Sequence, residues 1–234
     1  APEHLPDWFP TVPIASESKG RPIRHMLCQD RDCLLCLANL GTIDLHPWLS
    51  RHQTPDSPDW AVLDIDAKTS PFSHVLRIAR AARKVLSSIG VTACVKTSGK
   101  TGMHVHIPLE AGYTYDHSRM FCEGIARVIL RDHKDIASIE RTPAKRGGRI
   151  YLDFLQNRRG QTVVPPYSAR PVAGATVSAP LHWDELNSDL HPSQFTIHNM
   201  PRRILEMGDL FRPTLSEPQD LLPAIERLQS LLGG

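Results

Sequence analysis

The most informative absence in this sequence is that of a long apolar run. No stretch in its 234 residues approaches the roughly 18 apolar residues that a bilayer-spanning helix needs. The chain also shows no signal-like start. Both features argue against insertion into a membrane or secretion, and we expect a cytoplasmic protein with no membrane partner.

Cysteines are few as well, and they form no disulfide framework. The count is five, and an odd number without regular spacing is typical of a reducing compartment. Cys28, Cys33 and Cys36 raise the alternative of a zinc site with His25 or His46 as fourth ligand. Their C-x4-C-x2-C spacing lacks paired C-x2-C knuckles, and the same segment is typical of an apolar helix that packs small Cys side chains. We favour the helix.

Neither charge nor composition singles out a partner. The formal net charge is +2, with 41% apolar and 22% charged residues, which is typical of an ordinary globular protein. The length allows one large domain or two small ones. Because no repeat, low-complexity segment or convincing linker interrupts the chain, we predict a single domain over residues 1–234.

Hydrophobic periodicity predicts a mixed α+β domain with a largely antiparallel sheet flanked by helices. Asp30 or Asp32 is expected to cap the first helix and Ser70 the second. A hairpin is predicted over residues 91–109, with its turn at residues 98–102. Residues 1–22 are predicted as extended loop. The predicted helices cover 30–40, 70–89, 115–133, 201–207 and 219–232, and the strands cover 60–66, 91–97, 103–109, 149–156 and 194–199.

Acidic side chains occur where a sheet should be apolar. Asp64 and Asp66 end one strand two residues apart, so both point to the same face. Two neighbouring anions repel each other unless water, a proton or a cation separates them. Asp153 lies in a later strand and His104 in the hairpin. Three carboxylates suit one or two Mg²⁺ or Mn²⁺ ions, and a two-metal site suits phosphoryl or nucleotidyl transfer.

The turn SGKTG, residues 98–102, supplies features that suit phosphate binding. Its glycines allow close backbone approach, and Ser98, Lys100 and Thr101 offer donors. It is not a Walker A loop, because the first Gly and the following helix are missing. An exposed hairpin turn is an equally good interpretation of these five residues alone.

Basic residues crowd the segments on either side of the Asp153 strand. A run of positive charge is usually a solvated surface, but here it flanks a carboxylate strand and could neutralise nucleic-acid and triphosphate charge. We therefore predict DNA-binding residues at Lys145, Arg146, Arg149, Arg158 and Arg159.

Four segments then occur in a characteristic order: LDID (63–66), TSGKTGMHVHIPL (97–109), GGRIYLDFLQNRRGQTVVPPYSARP (147–171) and PLHWDEL (180–186). Together they resemble the polymerase domain of ligase D, a primase-polymerase of the archaeo-eukaryotic primase superfamily that serves prokaryotic non-homologous end joining. APEHLPDW and LLCLANLGTIDLHPWLSR resemble the family's upstream segments. The resemblance covers nearly the whole chain and implies a primase-polymerase-like fold.

The resemblance also implies roles for individual residues. Asp64, Asp66 and Asp153 match the catalytic carboxylates that hold two divalent ions, Mn²⁺ or Mg²⁺. The positions that match the family's nucleotide site, or that lie beside it, are His46, Ser98, Lys100, Thr101, His104, Gln156 and Arg170. This turn departs from the common S-G-G-K-G form, with Lys100 one place earlier.

The implied function is template-directed nucleotidyl transfer, with NTP or dNTP as substrate and a preference for ribonucleotides. DNA with gaps, overhangs or double-strand breaks is the expected partner, with Ku and an ATP-dependent DNA ligase beside it and a nucleoid-associated location. Relatives carry a basic stretch before the APEHLPDW equivalent that holds a DNA 5′-phosphate. We expect a minimal, truncated or excised polymerase, or one that holds DNA ends with other residues.

Other functions stay open from the sequence alone. A metal-dependent nuclease or phosphatase could use the same Asp cluster with His104 and His106. A replicative-type primase from the same superfamily is a closer alternative. A DNA-end-binding module without catalysis is disfavoured, because all three Asp residues persist.

Overall fold

A computed structural model describes residues 2, 5–16 and 19–233. The chain divides into two compact units, Ala1–Ile43 and Asp44–Gly234. None of the described helices is both long and apolar enough to cross a bilayer. The single domain predicted over residues 1–234 stays a prediction.

The first unit contains a β-hairpin and a short helix. Strands β1 (Thr11–Ser16) and β2 (Arg21–Met26) pair antiparallel, from Thr11 opposite Met26 to Ser16 opposite Arg21. The predicted loop over residues 1–22 is therefore wrong for these strands. The Pro content misled that prediction, because a two-stranded sheet has only edge strands, where Pro is tolerated.

Helix α1 (Arg31–Asn39) follows in the first unit. The Asp30 side chain accepts a hydrogen bond of 2.8 Å from the backbone N–H of Cys33. This contact confirms Asp30, rather than Asp32, as the N-cap.

The second unit is built on a six-stranded sheet. Its strands are β3 (Trp60–Asp66), β4 (Cys94–Thr97), β5 (Met103–Pro108), β6 (Ala137–Ser138), β7 (Ile150–Asp153) and β8 (Pro180–Leu181). Their spatial order is β6-β7-β3-β5-β4-β8, and all pairs are antiparallel except β6 with β7. The largely antiparallel α+β fold is confirmed.

The helices of the second unit are α2 (Phe72–Ser88), α3 (Tyr115–His133), α4 (Met200–Met207), α5 (Arg212–Ser216) and α6 (Leu222–Gly233). Helix α2 has no side-chain cap. The Ser70 hydroxyl instead donates to the carbonyl of Gly148, so the predicted Ser70 cap is wrong. The predicted strand over 194–199 is reduced to one isolated bridge, Thr176 with Thr196.

Alternation along the strands sorts the two faces of the sheet. In β3 the side chains of Ala61, Leu63 and Ile65 enter the main core, together with α2 and α3. Their cross-strand partners Ile107, Val105 and Met103 of β5 lie in the same core. The intervening residues of both strands therefore point to the opposite face, and that face carries the acidic and imidazole side chains.

Candidate active site

A single cross-strand row places four polar residues side by side on the open face of the sheet. Asp64 of β3 lies directly opposite Asp153 of β7 on one side and opposite His104 of β5 on the other. His104 in turn lies opposite Lys96 of β4. Directly opposed residues share a face, with Cβ atoms about 5 Å apart. The sheet register thus brings together three segments that are widely separated in the chain.

Asp66 extends the acidic surface by one step along β3. It lies on the same face as Asp64 and opposite Tyr151. Asp153 accepts a hydrogen bond of 2.8 Å from the backbone N–H of Leu155, and Gln156 Nε2 lies 3.4 Å from its other carboxylate oxygen. The structure therefore places Gln156 against one of the predicted catalytic carboxylates.

Asp64, Asp66 and Asp153 form what we call the acidic cluster, and their proximity affects the pKa of the Asp64 carboxyl. Burial, and next the negative charges of Asp153 and Asp66, raise the pKa of Asp64 from 3.8 to about 8, which Lys96 partly opposes. Burial likewise raises the pKa of Asp153. Both shifts favour the protonated carboxyl, and a bound cation would reverse that preference.

His104 is a neutral imidazole in contact with this cluster. Its Nε2 lies 3.4 Å from Oδ1 of Asp64. The pKa of His104 lies well below 6.5, first because the ring is buried and next because Lys96 lies nearby. Its Nδ1 is buried and has no hydrogen-bond partner among the described residues, so one ring nitrogen is available for a ligand.

Lys96 is a site neighbour that the sequence analysis missed. It is 0% exposed, and its ammonium donates to the Ser178 hydroxyl. Burial lowers the pKa of Lys96 to about 7, against the opposing effect of Asp64. The available signal was a Lys within an otherwise apolar strand, on the same face as the predicted site residues.

The turn over residues 98–102 joins β4 to β5, as predicted. The Ser98 hydroxyl accepts from the backbone N–H groups of Lys100, at 3.3 Å, and Gly102, at 3.1 Å, while Thr101 is exposed. A Cβ at Gly102 would lie 2.3 Å from the carbonyl oxygen of Ile65. The close approach at Gly102 is therefore to the Asp64–Asp66 strand itself.

Three basic side chains converge on Asp44, and we call His46, Lys100 and Arg170 the basic cluster. Nε2 of His46 lies 3.1 Å from Oδ1 of Asp44, and Nη1 of Arg170 lies 3.0 Å from the same oxygen. Nζ of Lys100 lies 3.9 Å from Oδ2. The structure thus joins three predicted nucleotide-binding residues through an acidic residue that the sequence analysis did not single out.

Arg170 is the most buried member of the basic cluster. Its side chain is 7% exposed, and its Nε and Nη1 atoms have no hydrogen-bond partner of good geometry in the described part of the chain. Burial lowers the pKa of Arg170, and Asp44 opposes that shift. A buried guanidinium with unused donors is suited to an anionic ligand.

The predicted DNA-binding residues divide by burial. Arg146 is buried, and its guanidinium donates to the carbonyls of Glu140, at 2.8 Å, and Arg141, at 2.7 Å, and lies 3.7 Å above the Tyr151 ring. Arg149 donates to the carbonyls of Arg146 and Lys134, at 2.7 and 3.2 Å. These contacts show that both side chains stabilise the local backbone. DNA binding by either residue stays a prediction.

The remaining three predicted DNA-binding residues lie nearer the surface. Lys145 and Arg158 are exposed. Nε of Arg159 lies 2.5 Å from Oδ1 of Asp56, and its guanidinium lies 5.6 Å from the centre of the Trp48 ring. DNA contact by any of these residues stays a prediction.

The acidic cluster fits a divalent cation by the chemistry of its donors. Carboxylate oxygens are the ligands that Mg²⁺ and Mn²⁺ prefer. Burial and, next, the negative charges of Asp153 and Asp66 raise the pKa of Asp64. Across residues 2, 5–16 and 19–233, no group of three or more His, Cys, Asp or Glu side chains is already arranged to hold a metal ion.

Comparison with known proteins defines the class. The family model described as "LigD, primase-polymerase domain" matches residues 1–211. The chain is 33% identical to the bifunctional non-homologous end joining protein LigD of Bacillus subtilis over 224 residues, which cover 94% of this chain and 35% of that protein. It is 31% identical to the multifunctional LigD of Pseudomonas aeruginosa over 178 residues, which cover 76% of this chain and 21% of that protein.

A solved structure shows the same fold. The polymerase domain from Mycobacterium tuberculosis ligase D in complex with DNA superposes with a TM-score of 0.83 and 22% identity, covering 94% of this chain and 78% of that one. The chain belongs to the LigD primase-polymerase domain family, whose members are metal-dependent nucleotidyltransferases. The chain spans about a third or less of the length of each of these two LigD proteins.

Proposed function

We propose that this chain catalyses template-directed nucleotidyl transfer that fills in or extends DNA ends during non-homologous end joining. The observation that carries the proposal is the cross-strand row Asp153–Asp64–His104 on the open face of the sheet. The basic cluster supplies a positive site within the same unit. The relatives' names and the DNA-bound structural neighbour support the same function.

Asp64, Asp66 and Asp153 would hold two divalent ions, Mn²⁺ or Mg²⁺. When bound, such ions supply Lewis acidity to a primer 3′-hydroxyl and to the triphosphate it attacks. The three Asp side chains fix the site on a rigid sheet, which limits the reorganisation needed during reaction. Gln156, in contact with Asp153, helps to orient that carboxylate.

The basic cluster, with Ser98, Thr101 and His104, would bind the incoming NTP or dNTP. Arg170 and Lys100 neutralise phosphate oxygens, and neutral His104 donates a hydrogen bond without adding charge. The same contacts stabilise the negative charge that develops on departing pyrophosphate.

Template and primer DNA with gaps, overhangs or breaks would lie against the exposed basic residues. Phosphate contacts of this kind give affinity without sequence preference. Lys145 and Arg158 are the stronger candidates among the predicted residues, because both are exposed. Arg146 and Arg149 already donate to backbone carbonyls, and Arg159 already pairs with Asp56. A preference for ribonucleotides and cooperation with Ku and an ATP-dependent ligase belong to the same proposal.

The test is primer extension on a gapped duplex, with each of the four ribo- and deoxynucleotides and with either metal. We expect one added nucleotide that pairs with the template base, and no product without a primer. Synthesis without a primer would favour a replicative-type primase instead. Release of phosphate or cleaved DNA without any nucleotide would favour a nuclease or phosphatase and contradict the proposal.

A further inference from the structure

Asp44 lies where an incoming phosphate would be expected. Its carboxylate is 23% exposed and contacts all three members of the basic cluster, at 3.1, 3.9 and 3.0 Å. The summed positive charge of Lys100 and Arg170 exceeds the single negative charge of Asp44. Such an arrangement suits an anion that carries more charge than Asp44 itself.

Both sides of this arrangement are anchored through the backbone. On the Asp44 side, Trp48 forms an isolated bridge with Thr162, and the N–H of Val163 donates to the carbonyl of Pro47 at 3.3 Å. On the other side, the N–H of Arg170 donates to the carbonyl of Thr176 at 2.8 Å. The backbone next to His46 and at Arg170 is therefore held by contacts that do not involve the Asp44 carboxylate.

The hydrogen-bonding capacity of the basic cluster is only partly used. Asp44 meets Arg170 as an ion pair, while the Nε and Nη1 donors of that guanidinium and Oδ1 of Asp44 lack hydrogen bonds of good geometry within the described residues. Buried charged donors without hydrogen bonds are costly. An anion with several oxygens would satisfy the Arg170 donors better than one carboxylate does.

We propose that Asp44 is an internal counter-anion that occupies the basic cluster in the ligand-free protein and is displaced when a polyphosphate binds. The inference rests on the proposed function in taking the basic cluster as the phosphate site of a nucleotide. Asp44 is thus a specificity-determining residue, since only an anion that outcompetes a tethered carboxylate can bind. Its removal strengthens phosphate binding, whereas loss of a merely structural residue would weaken it.

The test measures binding of inorganic tripolyphosphate by calorimetry in EDTA, to wild type and Asp44→Asn. We expect Asp44→Asn to bind about three- to tenfold more tightly, because a competing charge is gone. The matched control is Asp184→Asn, which also removes one negative charge; Asp184 pairs with Arg83 at 2.8 Å and is 86% exposed. The control should bind within about twofold of wild type, in keeping with the small effect of exposed ion pairs.

Stability supplies a second readout with the opposite sign. Without ligand, Asp44→Asn should melt at a lower temperature than wild type, because Arg170 loses its only ion-pair partner among the described residues and buried charges need partners. Tripolyphosphate should then raise its melting temperature by more than it raises that of wild type.

Unchanged or weaker tripolyphosphate binding by Asp44→Asn overturns the inference. Asp44→Ala is the second variant, and failure of both to fold also overturns it, since a displaceable anion cannot be essential for folding. Primer extension by wild type separates the two proposals. Extension without tighter binding by the variant defeats only the inference about Asp44, and tighter binding without extension defeats only the polymerase.

Discussion

Asp64 and Asp153 face each other directly across two neighbouring antiparallel strands. Nearly 90 residues separate them along the chain, yet the register of β3 and β7 makes them nearest neighbours on one face. Burial and, next, the negative charge of Asp153 raise the pKa of Asp64, so a positive charge beside the pair would be favourable.

Replacing the ionisable Asp64 carboxyl by an amide should stabilise the metal-free protein. The folded-state pKa of about 8 lies above the ordinary 3.8, so Asp64 contributes stability at low pH that is lost as pH rises between these values. Asp64→Asn has no such loss. In EDTA at pH 7, we expect the variant to exceed wild type by about 1–3 kcal/mol in free energy of unfolding.

The pH dependence of this difference in free energy of unfolding provides the control for the prediction. The gap between variant and wild type, measured by urea unfolding, should widen steadily from pH 4 to pH 7. Lys96, whose pKa is lowered from 10.5 to about 7, contributes with the opposite sign only above that range. A gap that is constant with pH would show that the Asp64 carboxyl is not perturbed.

Arg146 and Lys145 should behave differently although they are neighbours in one basic segment. Arg146→Gln breaks two hydrogen bonds to carbonyls and the contact with Tyr151, so we expect a loss of about 2–4 kcal/mol in stability. Exposed Lys145→Gln should change stability by less than about 0.5 kcal/mol. Chemical unfolding of both variants measures this difference. Equal losses of unfolding free energy in the two variants would refute the structural role of Arg146.

Asn157 should be essential for the geometry of β3. Its side chain accepts from the Val62 N–H at 2.8 Å and donates to the Val62 carbonyl at 2.7 Å, so it replaces a strand residue where β7 has ended. Asn157→Ala leaves both backbone groups buried and unpaired, and we expect a loss of about 3 kcal/mol. Thermal unfolding measures this loss, with Asn187→Ala, at an exposed position, as the control. Similar melting temperatures of the two variants would contradict this role of Asn157.

The sequence predicted what depends on local pattern. Alternation in β3 placed Asp64 and Asp66 on one face, and the hairpin around residues 98–102 follows from two apolar runs and a Gly-containing turn. The cap of α1 at Asp30 is equally local. The shared face of Asp64 and Asp66 therefore follows from strand alternation alone.

Contacts between distant segments lay beyond the sequence patterns. The sequence analysis did not single out Asp44, because its partners Lys100 and Arg170 meet it only in the folded chain. Arg146 belongs to a basic run predicted to bind DNA, although its guanidinium packs on Tyr151. Ser70 was predicted to cap a helix, but its hydroxyl donates a hydrogen bond to the carbonyl of Gly148, which lies far along the chain.

The most direct test of the central claim is primer extension by an Asp64→Ala plus Asp66→Ala variant beside wild type, on a gapped duplex with Mn²⁺ and nucleotides. We expect wild type to extend the primer and the variant to fall at least about a thousandfold in rate, the range expected when transition-state charge stabilisation is lost, while circular dichroism shows an intact fold. Extension by the folded variant at a rate near that of wild type would contradict the claim that these carboxylates carry the reaction.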